Sequence, residues 1–266
     1  MIHLTLYKKE WKSNGILLLI FLAVLTMYAV MIVSMFDPAK GDSLRFLAES
    51  MPELFAAFGM ADVGTTLLEF VTGYLYGMLF VAFPGVFLII LANRLIARYV
   101  DQGSMVYLLS APVKRRRIAV TQVFFLITSL AVIVIYVTVL ILIVSEILFP
   151  GDLATAAFLR VNAGLFGLLL FFGGACFLAS CIFNESKNAL GIGTAVVVYS
   201  ILVQMISQVG DKFENLKYLT PVTLFDIDGL AAAQNSAWFS CGILYIGGIL
   251  LMVLGILLFE RRDLPI

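Results

Sequence analysis

Six stretches of this chain are apolar for long enough to cross a bilayer. They run from about 15–36, 67–91, 118–148, 161–183, 189–209 and 238–259. A helix needs about 20 apolar residues to traverse a hydrocarbon core roughly 30 Å thick. Such a core offers no water to unpaired N–H and C=O groups, so each stretch must satisfy its own backbone as a helix. The expected fold class is therefore all-α, a polytopic membrane protein with six transmembrane helices. Pro84-Gly85 should kink or loosen the second span. The third is longer than the core, so it tilts or projects from it. Lys8, Lys9 and Lys12 precede the first stretch as they would in a signal peptide. Its apolar run is too long for one, however, and no small-residue cleavage pattern precedes Asp37, so it reads as a retained helix. No internal repeat or low-complexity linker divides residues 1–266, which read as a single transmembrane domain.

The charges agree and add a direction. The chain is 62% hydrophobic and 13% charged, whereas a soluble domain is roughly half apolar and about a quarter charged. Net charge is zero, which argues against a nucleic-acid binder, and the abundance of large apolar residues argues against disorder. Twelve of the 17 Lys and Arg residues fall on the side of the termini: Lys8, Lys9, Lys12, Arg94, Arg98, Lys114, Arg115, Arg116, Arg117, Lys187, Arg261 and Arg262. Ten acids, among them Asp37, Asp152, Asp211 and Asp228, fall in the loops of the other side. By the positive-inside rule both termini are cytosolic and the protein is a multi-pass component of the cell membrane.

Several segments outside the spans are themselves amphipathic. Ile2, Leu4, Leu6, Tyr7 and Trp11 alternate with His3, Lys8, Lys9 and Glu10, which suits an N-terminal interfacial helix against membrane lipid or a plain juxtamembrane anchor. In the first outer loop, Ser50-Met51-Pro52-Glu53 reads as a capping box followed by Leu54, Phe55, Phe58 and Met60 at near-helical spacing. The loop before the last span, 210–237, is too apolar for free solvent. It is expected to re-enter the outer half of the membrane or to pack over the bundle.

The loop between the second and third spans carries the most information. Asp101 to Gly103 are read as starting a short helix, the carboxylate lying near its N-terminal dipole. Met105, Val106, Leu108 and Leu109 give that helix an apolar face, and Ala111-Pro112 ends it. Lys114 to Arg117 follow at the membrane base. An exposed apolar helix there is a docking element for a cytosolic partner. The basic run alone is equally explained as a topology determinant against anionic lipid.

With these residues in place the chain resembles the membrane subunits of bacterial type-2 ATP-binding-cassette exporters. The loop of that family reads acidic–x–Gly, a gap, Leu-Leu-Ser-x-Pro-Val, then a basic residue and Ile. Here those positions are Asp101, Gly103, Leu108, Leu109, Ser110, Pro112, Val113, Arg115 and Ile118. Asp101 stands where Glu is more usual. The tail Phe259-Glu260-Arg261-Arg262-Asp263-Leu264 and Tyr218-Leu219-Thr220-Pro221 before the last span are similar to the family as well. The resemblance implies that the loop is a coupling helix, with Asp101, Gly103, Met105, Leu108, Leu109, Ser110, Pro112 and Arg115 docking a separate cytosolic ATPase. It also implies a second copy of the permease, as homodimer or pseudodimer. No phosphate-binding Gly-x-x-x-x-Gly-Lys-Ser/Thr motif is present, so ATP and Mg belong to the partner and no cofactor to this chain.

The membrane interior is chemically mild. Glu69 and Glu146 sit toward outer span ends, within reach of headgroups. His3 is the lone histidine. Cys176, Cys181 and Cys241 lie in apolar runs without metal-ligand spacing, so no catalytic or metal residue is assigned. Thr72, Tyr76, Tyr199, Gln204 and Gln208 either bond between helices or line a substrate path, which in the family runs between the second and fifth spans of facing subunits. Glycines such as Gly174 and Gly248 are read as packing sites. The expected function is the permease subunit of an ATP-driven exporter of amphipathic or hydrophobic cargo (antimicrobial peptide, drug or lipid-like). The alternatives are a membrane anchor, immunity or sensing protein without transport, and an intramembrane enzyme.

Overall fold

The computed structural model describes residues 2–36, 50–51, 56–57, 66–105, 113–209 and 211–262. The capping box expected at Ser50–Glu53 and the helix after it lie largely outside the described residues. Among those described, the elements are helical throughout: α1 (Leu4–Met35), α2 (Leu67–Val71), α3 (Phe80–Leu95), α4 (Ala97–Asp101), α5 (Arg115–Leu148), α6 (Thr155–Ile182), α7 (Ser186–Ser207), α8 (Ile227–Ala231) and α9 (Asn235–Arg261). A π-helix, Thr72–Leu79, joins α2 to α3, and two 3₁₀ segments, Asp211–Leu219 and Pro221–Leu224, lead into α8. Six helical runs are long and apolar enough to cross a membrane, as expected: α1, the composite Leu67–Asp101, α5, α6, α7 and α9.

The N-terminal segment is helical, but it has no joint with the first span. α1 runs unbroken from Leu4 to Met35 because Leu6, Glu10, Asn14, Leu18, Leu25, Ala29 and Ile32 repeat every three, four or seven residues and form one buried stripe. His3 caps it, its Nδ1 accepting from the Leu6 amide at 3.1 Å. The second span begins with a true capping box. The Thr66 hydroxyl accepts from the Glu69 amide, and the Glu69 carboxylate accepts from the Thr66 amide, both at 3.2 Å. Glu69 thus has a structural task at the span's end. The loosening expected of Pro84 falls one turn earlier: the proline ring crowds the carbonyl of Phe80, where the π-helix hands over to α3.

α6 is the hub. In its most apolar window 72% of residues are buried, against 22% for α1 and α7, so α6 is wrapped by protein while the outer helices turn apolar faces outward. Its closest neighbour is α9, and glycine makes the approach possible. A Cβ on Gly174 would lie 2.6 Å from the carbonyl oxygen of Gly248, and one on Gly248 would meet the Leu170 carbonyl at 2.9 Å. Tyr245 Oη donates to the Ala163 carbonyl at 2.8 Å along the same seam.

The two ends of the bundle are distinct. At one end, Phe36 packs edge-on against Phe149 at 5.2 Å and at a tilt against Phe70 at 5.4 Å. The 211–234 segment packs on that end against α6 and α7. Thr220 Oγ1 donates to the Ser200 carbonyl at 2.9 Å, and Thr223 Oγ1 to Gln204 Oε1 at 3.0 Å. Leu230 is fully buried against Gly164. α8 closes with the two hydrogen bonds of a Schellman turn, Gln234 N to Gly229 O and Ala233 N to Leu230 O. Ala233 takes the left-handed conformation there, with φ +58°. Arg160 forks onto the last carbonyls of α8, Nε to Leu230 O at 2.9 Å and Nη2 to Ala231 O at 2.5 Å. At the opposite end lie the first turns of α1, the loop after α4, the α6–α7 junction and the end of α9. The twelve cations collect there, so it is called the basic end below.

Candidate functional site: the loop at the basic end

The loop between α4 and α5 sits at the basic end, and its flanks are described where its centre (106–112) is not. Leu108, Leu109, Ser110 and Pro112 therefore lie outside the described residues. Asp101 ends a helix where the expectation was that it began one. The apolar face of the second span continues through Ala97 and Val100, both buried, and carries the helix on to Asp101. Gly103, at φ +67°, then turns the chain, a conformation glycine adopts without a Cβ penalty. The Gln102 amide donates to Arg98 O and the Gly103 amide to Val100 O, closing that end. Asp101 is exposed beside the negative end of the helix dipole. Met105, expected to present itself to a partner, is 2% exposed and joins the core, so it anchors the loop to the permease.

The returning flank is held by its cations. Arg115 Nη1 donates to the main-chain carbonyl of Arg262 at 2.8 Å. Arg262 in turn donates from Nη1 to the Cys181 carbonyl at 2.6 Å and from Nη2 to Asn184 Oδ1. Partial burial pulls the Arg262 guanidinium below its ordinary value, yet arginine keeps its proton in proteins. Arg117 Nη2 donates to Ile2 O at 3.2 Å, and the His3 amide to Thr121 Oγ1 at 2.9 Å. Arg116 and Lys114 are exposed.

Sequence reasoning did not single out Glu10, which it placed among the polar residues of an interfacial helix. Glu10 is 1% exposed. Its Oε1 accepts from Tyr99 Oη and from Gln122 Nε2, each at 3.0 Å, and its Oε2 accepts from Asn14 Nδ2 at 2.9 Å. The Lys9 ammonium stands over the Tyr99 ring, 5.3 Å from its centre. Tyr7 and Trp11 pack their rings on Phe125 at 5.9 and 5.3 Å, and Tyr7 Oη donates to Thr128 Oγ1. One signal was available: Glu10 and Asn14 fall in register with Leu6 and Leu18, on the stripe that enters the bundle.

The five residues considered for a substrate path do not share one environment. Thr72 and Tyr76 are buried; Thr72 Oγ1 donates back to the Leu68 carbonyl, and Tyr76 Oη donates to Asn162 Oδ1 at 2.8 Å. Tyr199 and Gln208 face outward from α7, and Gln204 is half-buried against Thr223. Ser200, on the same face as Gln204 and Gln208, is buried. The described residues hold no group of three or more His, Cys, Asp or Glu side chains suited to a metal ion.

An all-α bundle of six apolar spans, with a looped and clamped basic end, defines the class: a polytopic membrane protein. The profile of the family described as ABC-2 family transporter protein matches residues 4–264, nearly the whole chain. The chain belongs to that family and is a membrane permease component of an ATP-binding-cassette transporter. Such a component is in general non-catalytic, and its membership implies an ATP-binding partner subunit. A search of curated proteins found no match.

Proposed function

We propose that this permease works as an exporter in the cell membrane, with both termini in the cytosol, and that ATP binding and hydrolysis in a separate subunit drive it through the loop at 101–115. The observation that carries the reading is the arrangement of that loop. Its flanks are fastened to α1, α5 and the end of α9, while Asp101, Gln102, Arg116 and Lys114 stay exposed beside its centre. A docked partner that pushes on such a loop moves helices, because the flanks have no slack to absorb the push.

The working unit pairs two copies, with cargo handled between them. The outward groups of α7, Tyr199 and Gln208, together with half-buried Gln204, give that surface neutral polarity. Neutral polarity on an apolar wall suits an amphipathic or hydrophobic cargo such as a peptide, drug or lipid-like molecule.

The test is co-purification and transport together. Leu108→Asp combined with Leu109→Asp should abolish recovery of the ATPase with the permease while membrane insertion is unchanged. Retained recovery removes the docking role of the loop. In inverted vesicles the intact complex should concentrate a fluorescent amphipathic cargo only with ATP. Recovery of the ATPase without ATP-dependent uptake would leave an anchoring protein in place of an exporter.

A further inference from the structure

One carboxylate joins three chain segments that are distant in sequence. Glu10 lies on α1; Tyr99 lies on α4, immediately before the loop; Gln122 lies on α5, two turns after it. Both bonds to the loop flanks end on the same oxygen, Oε1, and Asn14 holds the other oxygen. All three partners are uncharged. Leucines at positions 10 and 14 would complete the stripe from Leu6 to Leu18 with no polar group to desolvate on α1, so the cost of burying a carboxyl here is offset only by what it connects. Lys9 adds a second contact from α1 to Tyr99.

We propose that Glu10 is a positioning residue for the docking loop. It locks the entering and leaving flanks to the N-terminal helix, so that loop, α1 and the first span move as one body. The transport consequence rests on the docking role proposed above; the locking of the flanks does not.

The two are tested separately. Spin labels on Gln102→Cys and Arg116→Cys, both exposed positions, report the distance between the flanks in the purified full chain. The parent protein should give one narrow distribution. Glu10→Ala should broaden it at least two-fold. Glu10→Gln should restore the narrow form, because its carbonyl still accepts from Tyr99 and Gln122. Asn14 can turn its amide to offer the new NH₂ group Oδ1, which is buried and without a partner now. Tyr7→Phe, which removes a bond of the same α1–α5 contact but not of the loop, should leave the distances unchanged. If Glu10→Ala does not accumulate, Tyr99→Phe and Gln122→Met each release one flank and should each broaden the distribution. Narrow distances in every released variant, or equal broadening in Glu10→Gln and Tyr7→Phe, overturn the proposal. In the complex, permease-dependent stimulation of ATP hydrolysis should fall at least five-fold in Glu10→Ala, with the ATPase still bound, and recover in Glu10→Gln. Undiminished stimulation overturns the transmission role. An ATPase that fails to bind the parent permease overturns the docking role, while the distances still decide the lock.

Discussion

Arg115 and Arg262 are joined side chain to main chain. The guanidinium that opens the third span donates to the carbonyl of the residue just after the sixth, 147 positions later. Arg262 spends its own guanidinium on Cys181 and Asn184, at the junction of the fourth and fifth spans. The third, fourth and sixth spans, with the turn into the fifth, are thereby fastened at the basic end by two arginines.

Arg262→Ala should therefore loosen more than a chain terminus. A hydrogen bond to a charged group contributes about 1.5–3 kcal/mol where it is dry. Arg262 is partly exposed, so a loss nearer 1 kcal/mol is expected, seen as a fall of a few degrees in thermal unfolding in detergent. Cys181, now fully buried, should also react faster with a thiol reagent. An unchanged labelling rate would show that the clasp does not shield that junction.

Gly174→Val should separate α6 from α9, because any Cβ there meets the Gly248 carbonyl at 2.6 Å and a backbone atom cannot swing aside. Overpacking of this kind costs about 1–3 kcal/mol. Gly242→Ala on the same α9 is the control, since nothing lies within 4 Å of its added methyl. It should be neutral or gain up to about 1 kcal/mol from helix propensity. Monodisperse yield on size exclusion after heating distinguishes the two variants.

At the other end of the bundle, Arg160→Lys is not conservative. Nε and Nη2 reach two successive carbonyls at once, whereas an ammonium on a flexible stem satisfies one of them. Hydrogen exchange of the amides in 227–234 should quicken about ten-fold in the lysine variant, while exchange in α6 stays unchanged. Equal protection in both proteins would mean that the fork contributes nothing to holding α8.

Ala233 occupies a position that prefers glycine. A left-handed residue with a Cβ costs roughly 1–2 kcal/mol, and glycine gives back part of that gain as chain entropy. Ala233→Gly should raise the unfolding temperature by about 1–3 °C. A fall would show that the methyl packs usefully.

Much of this architecture is legible in the chain because lipid leaves few choices. Long apolar runs had to be helices, and the basic residues gather at the bundle end where the spacing of spans places them. The packing glycines could be read in kind, since Gly174 and Gly248 lie where two helices meet backbone to backbone. What could not be read was direction. Position 10 looks like one more polar residue of an amphipathic segment until the partner helices are placed, and only then does its stripe turn inward. Tyr76 could be read only as one of two things, a bond between helices or part of a path, because its partner Asn162 lies 86 residues later. Asp101 was assigned to the start of a helix because a carboxylate is favourable near an N-terminal dipole. The buried face of Ala97 and Val100 carries the preceding helix on to Asp101 instead.

The π-helix at Thr72–Leu79 has an effect that extends along the whole second span. An α-helix advances about 100° per residue, and i→i+5 pairing underwinds it, so the residues after Leu79 are rotated relative to those before Thr72. The span therefore carries two angular frames. A wheel projected from Leu67 to Leu95 with a single period would put residues on the wrong side. Rewinding 72–79 to i→i+4 pairing at unchanged length would swing Tyr99 around the axis, away from the carboxylate it now meets. Eight residues near one membrane face thus set the bearing of a side chain at the other.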